Sequence, residues 1–171
     1  MSLAEFLALP EEKPELELID GEVCQKPMGK ARHSRAQWKL QRALDHHPQT
    51  QRGQIRPELT LPIEGTGRAN ARVPDVSYYL PGRAPIAEPY ADELPDLVAE
   101  VRSQGQTRES IDKRLAFLRD RGVHCTLLID PESNTVTVHD GDRTWTASEE
   151  DHVTLARLDG FDFAVADLFS D

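Results

Sequence analysis

Alternating apolar and polar positions near the start of the chain predict a β-hairpin. Residues 15–19 read Glu-Leu-Glu-Leu-Ile and residues 22–24 read Glu-Val-Cys. Asp20-Gly21 between them is a dipeptide typical of tight hairpin turns. Further on, the spacing becomes that of a helix over residues 34–46, with Ser34 as its capping residue. Four apolar positions share one face of this helix: Ala36, Leu40, Ala43 and Leu44.

Three strands are predicted in the middle of the chain. Apolar residues recur at every second position from Gln54 to Ile63, and two prolines place this strand at an edge or a bend. The other two strands are residues 73–80 and residues 94–101. The second of these is almost continuously apolar, which is typical of a strand covered on both faces.

The segment after residue 101 predicts a crossover unit. A turn at residues 103–107 leads into an amphipathic helix over residues 109–121, and residues 125–130 form another apolar strand. Further strands at 135–138 and 143–147 precede an apolar tail. We therefore expect an α/β fold with a central mixed β-sheet flanked by helices and an additional β-hairpin region.

The composition indicates one acidic domain spanning residues 1–171. Twenty Lys and Arg against 30 Asp and Glu give a formal net charge of −10 at pH 7. The two cysteines are far apart in the chain, which excludes a zinc ribbon or a disulfide scaffold. No apolar run approaches the ~20 residues of a membrane span, and the N-terminus does not resemble a secretory signal. We expect a cytoplasmic protein without membrane contact.

Glu100 indicates chemistry more strongly than any other residue. It lies inside Leu97-Val-Ala-Glu-Val101, where an unpaired ionised carboxylate would be costly and needs a cation, hydrogen bonds or a raised pKa. Asp75 begins the apolar strand predicted to neighbour it. Two carboxylates from adjacent strands can converge on a divalent cation. Mg²⁺ or Mn²⁺ suits oxygen ligands that are completed by water and phosphate.

Three further residues are candidates. Glu17 is a third acid, on the first strand, and the ammonium of Lys113 on the second helix could reach a nucleophilic water. His33, before the first helix, could contact a phosphate or carry a proton. Each acid also has a purely structural interpretation: Glu100 as a salt-bridged strand end, Asp75 as a turn acid, and Glu17, like Lys113, as a solvated charge.

Seven short motifs follow one another along nearly the whole chain. They are Glu15-Leu-Glu-Leu-Ile-Asp-Gly-Glu22, His33-Ser34, Val73-Pro-Asp-Val-Ser77, Leu94-Pro-Asp-Leu-Val-Ala-Glu-Val-Arg-Ser103, a lysine-bearing helix ending at Gly122-Val123, Leu127-Leu-Ile-Asp-Pro131, and Leu158-Asp-Gly-Phe161 with Ala166-Asp-Leu-Phe169. In this order they resemble the Uma2 family, bacterial proteins classed as endonucleases in the PD-(D/E)XK superfamily. The resemblance implies a restriction-endonuclease-like core and Mg²⁺-dependent hydrolysis of nucleic-acid phosphodiester bonds.

The resemblance also implies roles for single residues. Asp75 and Glu100 become the metal-binding catalytic acids, Glu17 an additional acid, and Lys113 the catalytic lysine moved onto the helix. The superfamily usually has a lysine two positions after the second acid, where this chain has Arg102. Arginine can stabilise a charged transition state but does not readily act as a base. The neighbouring Arg114 competes with Lys113 for the place that faces the site.

The partners implied by the resemblance are a nucleic acid, with DNA as the first expectation, and a second copy of the chain in a homodimer. His33 and Arg35 are the expected nucleic-acid contacts, within a basic strip of Arg32, Arg35, Lys39 and Arg42. The charge of −10 suggests weak affinity at physiological salt. The alternative is a catalytically inactive nuclease-like module that binds or regulates. Convergence of the three acids is the feature that distinguishes the two.

Overall fold

The computed structural model of the protein describes residues 1–65, 67–83, 86 and 89–170. Its helices are α1 (Leu3–Leu7), α2 (Ala31–His46), α3 (Arg108–Arg119) and α4 (Val165–Phe169), with a short 3-10 helix at Ala156–Leu158. Its strands are β1 (Leu16–Ile19), β2 (Glu22–Gln25), β3 (Gln54–Pro57), β4 (Leu61–Ile63), β5 (Asn70–Arg72), β6 (Val76–Tyr79), β7 (Leu97–Val101), β8 (Cys125–Asp130), β9 (Thr135–Asp140), β10 (Arg143–Ala147), β11 (His152–Leu155) and β12 (Phe161–Ala164).

A mixed sheet runs in the order β10-β9-β8-β7-β6-β3. The pair β7 and β8 is parallel and is joined through α3, whereas the other neighbours in this sheet are antiparallel. An antiparallel sheet in the order β2-β1-β5-β4 lies beside it, and β11 pairs with β12. The predicted α/β class, mixed central sheet and crossover unit are confirmed.

The predicted hairpin is also confirmed, as β1 and β2. Asp20 and Gly21 both have positive φ angles, 51° and 87°, which is the backbone of the turn that matches the twist of two paired strands. The register places Glu17 opposite Cys24. Residues that face each other across an antiparallel pair point to the same side of the sheet, so this register fixes which side chains accompany Glu17.

Side chains alternate along β7 between two hydrophobic clusters. Leu97, Ala99 and Val101 pack in the cluster that also contains the buried residues of α2. Val98 packs in the other cluster, with Ile111, Leu115 and Leu118 of α3. The two long helices therefore cover opposite faces of the mixed sheet, and Glu100 points, like Val98, toward the face that α3 covers.

Two predicted segments had wrong boundaries, helix 34–46 and strand 54–63. Helix α2 begins at Ala31, with extended Lys30 as its capping residue, because nothing in the three residues before Ser34 opposes helix formation. The single strand predicted from Gln54 to Ile63 is divided between two sheets. Pro57 has no N–H to continue the ladder, and Glu58 has a φ of 51°, which turns the chain toward the second sheet.

Prolines also shorten the two central strands. Residues 73–80 form a strand from Val76, after Pro74, and residues 94–101 form one from Leu97, after Pro95. The apolar tail folds back onto its own chain, since Phe161 is fully buried in the same cluster as α2. No helix among the described residues has the length and apolar character needed to cross a membrane.

Candidate active site

The register of β6 and β7 brings Asp75 and Glu100 together. Val76 pairs with Ala99, so Asp75, one residue earlier, lies opposite Glu100, on the same side of the sheet. Both residues are almost completely buried, at 2% and 3% exposure. Two buried carboxylates need positively charged partners, because burying an unpaired charge costs roughly several kcal/mol of folding free energy.

Lys26 provides the first positive partner. Its Nζ lies 2.7 Å from Asp75 Oδ1 and 3.7 Å from Glu100 Oε2, and it also donates a 2.7 Å hydrogen bond to the carbonyl of Val73. The backbone N–H of Lys26 donates to Glu15 O over 2.8 Å, which extends the hairpin by one residue. Lys26 therefore follows the alternation of β2 and points to the side of Glu17.

Arg114, on α3, provides the second positive partner of the buried acids. Its Nη2 donates to Glu100 Oε1 over 2.8 Å and to Glu17 Oε1 over 2.8 Å, while Nη1 lies 2.5 Å from Glu17 Oε2. Glu17 Oε1 also accepts the N–H of Val73 over 2.8 Å. Both oxygens of Glu17 are thus engaged, and one guanidinium joins the first strand of the hairpin to the acid on β7.

Helix α2 holds the other side of Asp75. Asp75 Oδ2 accepts a 2.7 Å hydrogen bond from the N–H of Val101 and lies 3.1 Å from His33 Nε2. Gln37 Nε2 donates to the carbonyl of Asp75 over 2.8 Å. Gly29 allows this arrangement, because a Cβ there would lie 2.5 Å from His33 Nδ1. Asp75 is therefore fixed in one orientation.

The pKa values of the two central acids, Asp75 and Glu100, shift in opposite directions. Burial alone would raise the pKa of Asp75, but the hydrogen bond from His33 and the charge of Lys26 outweigh it and hold that pKa well below its usual range. Burial raises the pKa of Glu100, even though Arg114 and Lys26 act in the other direction, and the neighbouring Asp75 and Glu17 add to the increase. Glu100 therefore releases its proton less readily than a glutamate in water.

The cations respond in the expected direction. Burial would lower the pKa of Lys26, but the charges of Glu100 and Asp75 outweigh it and raise that pKa, so the ammonium stays protonated. For Glu17, the cost of burial is outweighed by the hydrogen bonds and charge of Arg114, which lower its pKa. The site is therefore a network of ion pairs, and Glu100 is the one of its three acids whose pKa is raised.

Two residues predicted for the site lie elsewhere in the structure. The Lys113 side chain is 74% exposed and forms a 2.7 Å ion pair with Glu109 on the solvent side of α3. Successive helix positions differ by about 100°, so its neighbour Arg114 takes the inward place. Arg102 follows the end of β7 and binds Asp130 at 2.9 Å and Glu132 at 2.6 Å.

His33 and Arg35 were predicted to contact nucleic acid. His33 is 8% exposed and belongs to the acid network, whereas Arg35 lies on the exposed side of α2. Lys26 was missed because the sequence places it in a loop. The signal that could have found it is the hairpin itself, since period two continued beyond Cys24 puts Lys26 on the same face as Glu17.

The donor set of the site is compatible with a hard divalent cation held by two carboxylates. No group of three or more His, Cys, Asp and Glu side chains within the described ranges could hold a metal by itself. Mg²⁺ usually takes one or two carboxylates and completes its shell with water and phosphate oxygens. Asp75 and Glu100 supply such a pair of carboxylates.

The network is reached through a cleft of about 220 Å³. Lys26, His33 and Asp75 lie at its inner end. Its other walls come from the N-terminal segment, the loop after β2 and the first turns of α2: Lys13, Pro14, Glu15, Pro27, Met28, Gly29, Ser34, Gln37 and Glu58.

Residues 3–166 match the family described as "Uma2: Putative restriction endonuclease". The chain belongs to the Uma2 family. The crystal structure of a "putative nuclease belonging to DUF820" from Anabaena variabilis ATCC 29413 has 27% sequence identity and a TM-score of 0.82, over 99% of this chain and 97% of that one. No curated protein matches the chain. This Uma2 protein thus has a restriction-endonuclease-like α/β fold, and nuclease is the activity for which its family is named.

Proposed function

We propose that this Uma2 protein is a Mg²⁺-dependent endonuclease that hydrolyses phosphodiester bonds of nucleic acid, with DNA as the first candidate and Mn²⁺ as a substitute ion. The observation that carries this proposal is a pair of buried carboxylates near one ammonium: Asp75, just before β6, and Glu100, opposite it on β7. A buried acid pair is costly for a structural core. It is useful where a divalent cation must be held.

Asp75 and Glu100 would hold the ion, which when bound acts as a Lewis acid on the phosphate and lowers the pKa of a bound water. His33 and the N–H of Val101 orient Asp75 for this task. Arg114 orients Glu100 through Oε1, while Oε2 lies 3.7 Å from the ammonium of Lys26. Glu17 acts through Arg114, so we assign it a positioning role.

Lys26 takes the part expected of Lys113 or Arg102. Its ammonium is already beside both acids, stays protonated, and sits on four flexible methylenes. It can therefore donate to a phosphate oxygen and neutralise the charge that develops there, but it does not act as a base. The superfamily lysine that is missing two positions after Glu100 is replaced in space by a lysine from the hairpin.

A binding or regulatory module without catalysis is the second candidate. It is favoured by one observation: Lys26 and Arg114 together pair with all three acids, as in a purely structural ion network. For such a module the same residues would matter for stability alone. Cleavage assays separate the two candidates.

The test is cleavage of supercoiled plasmid and of single-stranded DNA and RNA, with Mg²⁺, Mn²⁺ or a chelator. We expect cleavage by the unaltered protein with either ion, and a rate lower by about 1,000-fold in Asp75→Asn and Glu100→Gln, since metal-ion catalysis supplies several kcal/mol, roughly, at about tenfold per 1.4 kcal/mol. Lys113→Ala is the matched control and should keep the full rate. Equal rates in all four proteins would indicate a contaminating nuclease and overturn the proposal.

A further inference from the structure

Helix α2 is a basic element in an acidic protein. It carries Arg32, Arg35, Lys39 and Arg42 against a single acid, Asp45, while the whole chain has a net charge of −10. Its outer side also exposes a large aromatic ring: Trp38 is 52% exposed. The guanidinium of Arg42 lies 5.4 Å from the centre of that ring.

Trp38 lies on a ridge that starts at the catalytic cleft. Ser34, Trp38 and Arg42 are spaced four residues apart and therefore line one side of the helix over about 12 Å. Ser34 belongs to the wall of the cleft that contains Asp75. Arg42 belongs to the wall of a second cavity of about 320 Å³, whose other residues are Lys39, Ala43, His46, Phe163, Asp167 and Leu168.

We propose that this ridge binds single-stranded nucleic acid, with one unpaired base stacked on Trp38 and the backbone running past Arg42 and Lys39 into the second cavity. The inference deepens the proposed function and rests on it for the direction of the strand. Any base has a π-face that an indole can stack on, and basic side chains along the ridge attract the phosphates. Bases inside a duplex stack on each other, so Trp38 selects a strand whose bases are unpaired.

Charge and continuity with the cleft favour a nucleic acid over a partner protein as the ligand of this ridge. A partner protein would have to tolerate a strongly basic ridge, whereas a nucleic acid is attracted by it. In the cleft at the start of the ridge, Glu15 and Glu58 are paired with Lys13, and Asp75 is paired with Lys26. At the other end of the ridge, the acids are Asp45, which lies 3.6 Å from His46, and Asp167 in the second cavity. They are outnumbered by the four basic residues of α2.

Fluorescence of Trp38 provides the direct test. The chain has two tryptophans, so Trp145→Phe leaves Trp38 as the reporter. We expect the oligonucleotide dT8, added without divalent metal, to quench this fluorescence, whereas a blunt hairpin duplex of the same total charge does not. Trp38→Ala should raise the Kd for fluorescein-labelled dT8 by about 5- to 100-fold, the range expected for one stacked base. Trp38→Phe should lose less.

A matched pair of arginines tests the path of the backbone. Arg143 lies 4.9 Å from the ring centre of Trp145 and repeats the arginine–tryptophan arrangement on β10, the edge strand of the mixed sheet. Arg42→Gln should weaken dT8 binding and reduce the slope of log Kd against log salt by roughly 1, as for one lost phosphate contact. Arg143→Gln, with the same loss of charge, should change neither.

The possible results separate this inference from the proposed function. Unchanged dT8 affinity in Trp38→Ala, or quenching by the duplex equal to that by dT8, would overturn the inference while leaving cleavage at Asp75 and Glu100 intact. Quenching and the Trp38→Ala loss in a protein that never cleaves would support the strand-binding ridge and reject the nuclease. A change of mass in light scattering on Trp38→Ala, without an effect on dT8, would assign the ridge to a second copy of the chain and overturn the inference.

Discussion

Replacing Arg114 by methionine should be one of the most destabilising single changes in this protein. The substitution keeps most of the side-chain volume but removes the guanidinium that binds Glu17 and Glu100. Two acidic side chains that are 3% and 4% exposed then lose a cation, and among the described residues the N–H of Val73 is the hydrogen-bond donor that Glu17 keeps. Breaking a buried ion pair by removing one partner costs about 3–5 kcal/mol.

The magnitude has an upper limit set by Glu100. The pKa of this carboxyl is already raised by burial, so without Arg114 it can take up a proton at about 1.4 kcal/mol per pH unit instead of remaining charged. We therefore expect the free energy of unfolding to fall by about 3–4 kcal/mol at pH 8. This is a large part of the total for a typical domain, which is about 5–15 kcal/mol. The neighbouring Lys113→Met removes an exposed ion pair and should cost at most about 0.5 kcal/mol.

The pH dependence has a defined sign. The folded pKa of Glu17 is lowered, so its contribution is present above its unfolded value of about 4.3 and is lost as the pH falls through the folded value. In Arg114→Met that contribution is absent. The unpaired Glu17 and Glu100 of the variant can take up protons as the pH falls from 8 to 5, and this removes the cost of burying their charge. The difference between the two proteins should therefore be largest at pH 8 and shrink toward pH 5.

Urea unfolding followed by circular dichroism at pH 8, 6.5 and 5 measures these differences. The comparison is valid if the dependence of the unfolding free energy on urea is the same in all variants. A loss in Arg114→Met no larger than in Lys113→Met, or a difference that grows as the pH falls, would refute the view that Arg114 holds the two acids in place.

Three further predictions address the ion, the lysine and the assembly. Millimolar Mg²⁺ or Mn²⁺ should raise the melting temperature, by the equivalent of about 2.7 kcal/mol at 100 times the Kd, and Glu100→Gln should abolish the effect; an unmoved melting temperature in the unaltered protein would contradict a metal site. Lys26→Met should bind Mn²⁺ more tightly in calorimetry, because a competing cation is removed, yet cleave more slowly; weaker binding would show that Lys26 supports the ion. Light scattering should give twice the chain mass of 19.2 kDa, and a value near 19.2 kDa over a wide concentration range would reject the homodimer.

The sequence predicted Asp75 and Glu100 as partners because a buried strand can be recognised from the apolar pattern of a short segment. Alternation along residues 97–101 and the position of Asp75 after Pro74 were sufficient to place both on paired strands. The helical period favours Arg114 over Lys113 as the residue that faces the site. Arg114 lies about 60° from Ile111 around the helix, beside the apolar stripe, whereas Lys113 lies about 160° from it, on the opposite side. The residue that Arg114 meets there, Glu17, depends on the approach of the hairpin.

Lys26 shows the other limit of sequence reasoning. Its role depends on the packing of the β1–β2 hairpin against the mixed sheet, a long-range contact to a residue 49 positions away. The division of residues 54–63 has the same origin, because the positive φ of Glu58 serves a change of sheet that no local pattern shows. Local periodicity therefore gives strands and helices, whereas the cations of the site are set by tertiary packing.

The most direct test of the metal-dependent centre is anomalous diffraction from crystals soaked in Mn²⁺. The account predicts one strong peak between Asp75 Oδ1 and Glu100 Oε2, with the ammonium of Lys26 displaced from its 2.7 Å contact with Asp75. The peak should be absent in Glu100→Gln crystals soaked in the same way. A crystal that holds no Mn²⁺ between these two oxygens, at a concentration at which the protein cleaves DNA, would contradict the account.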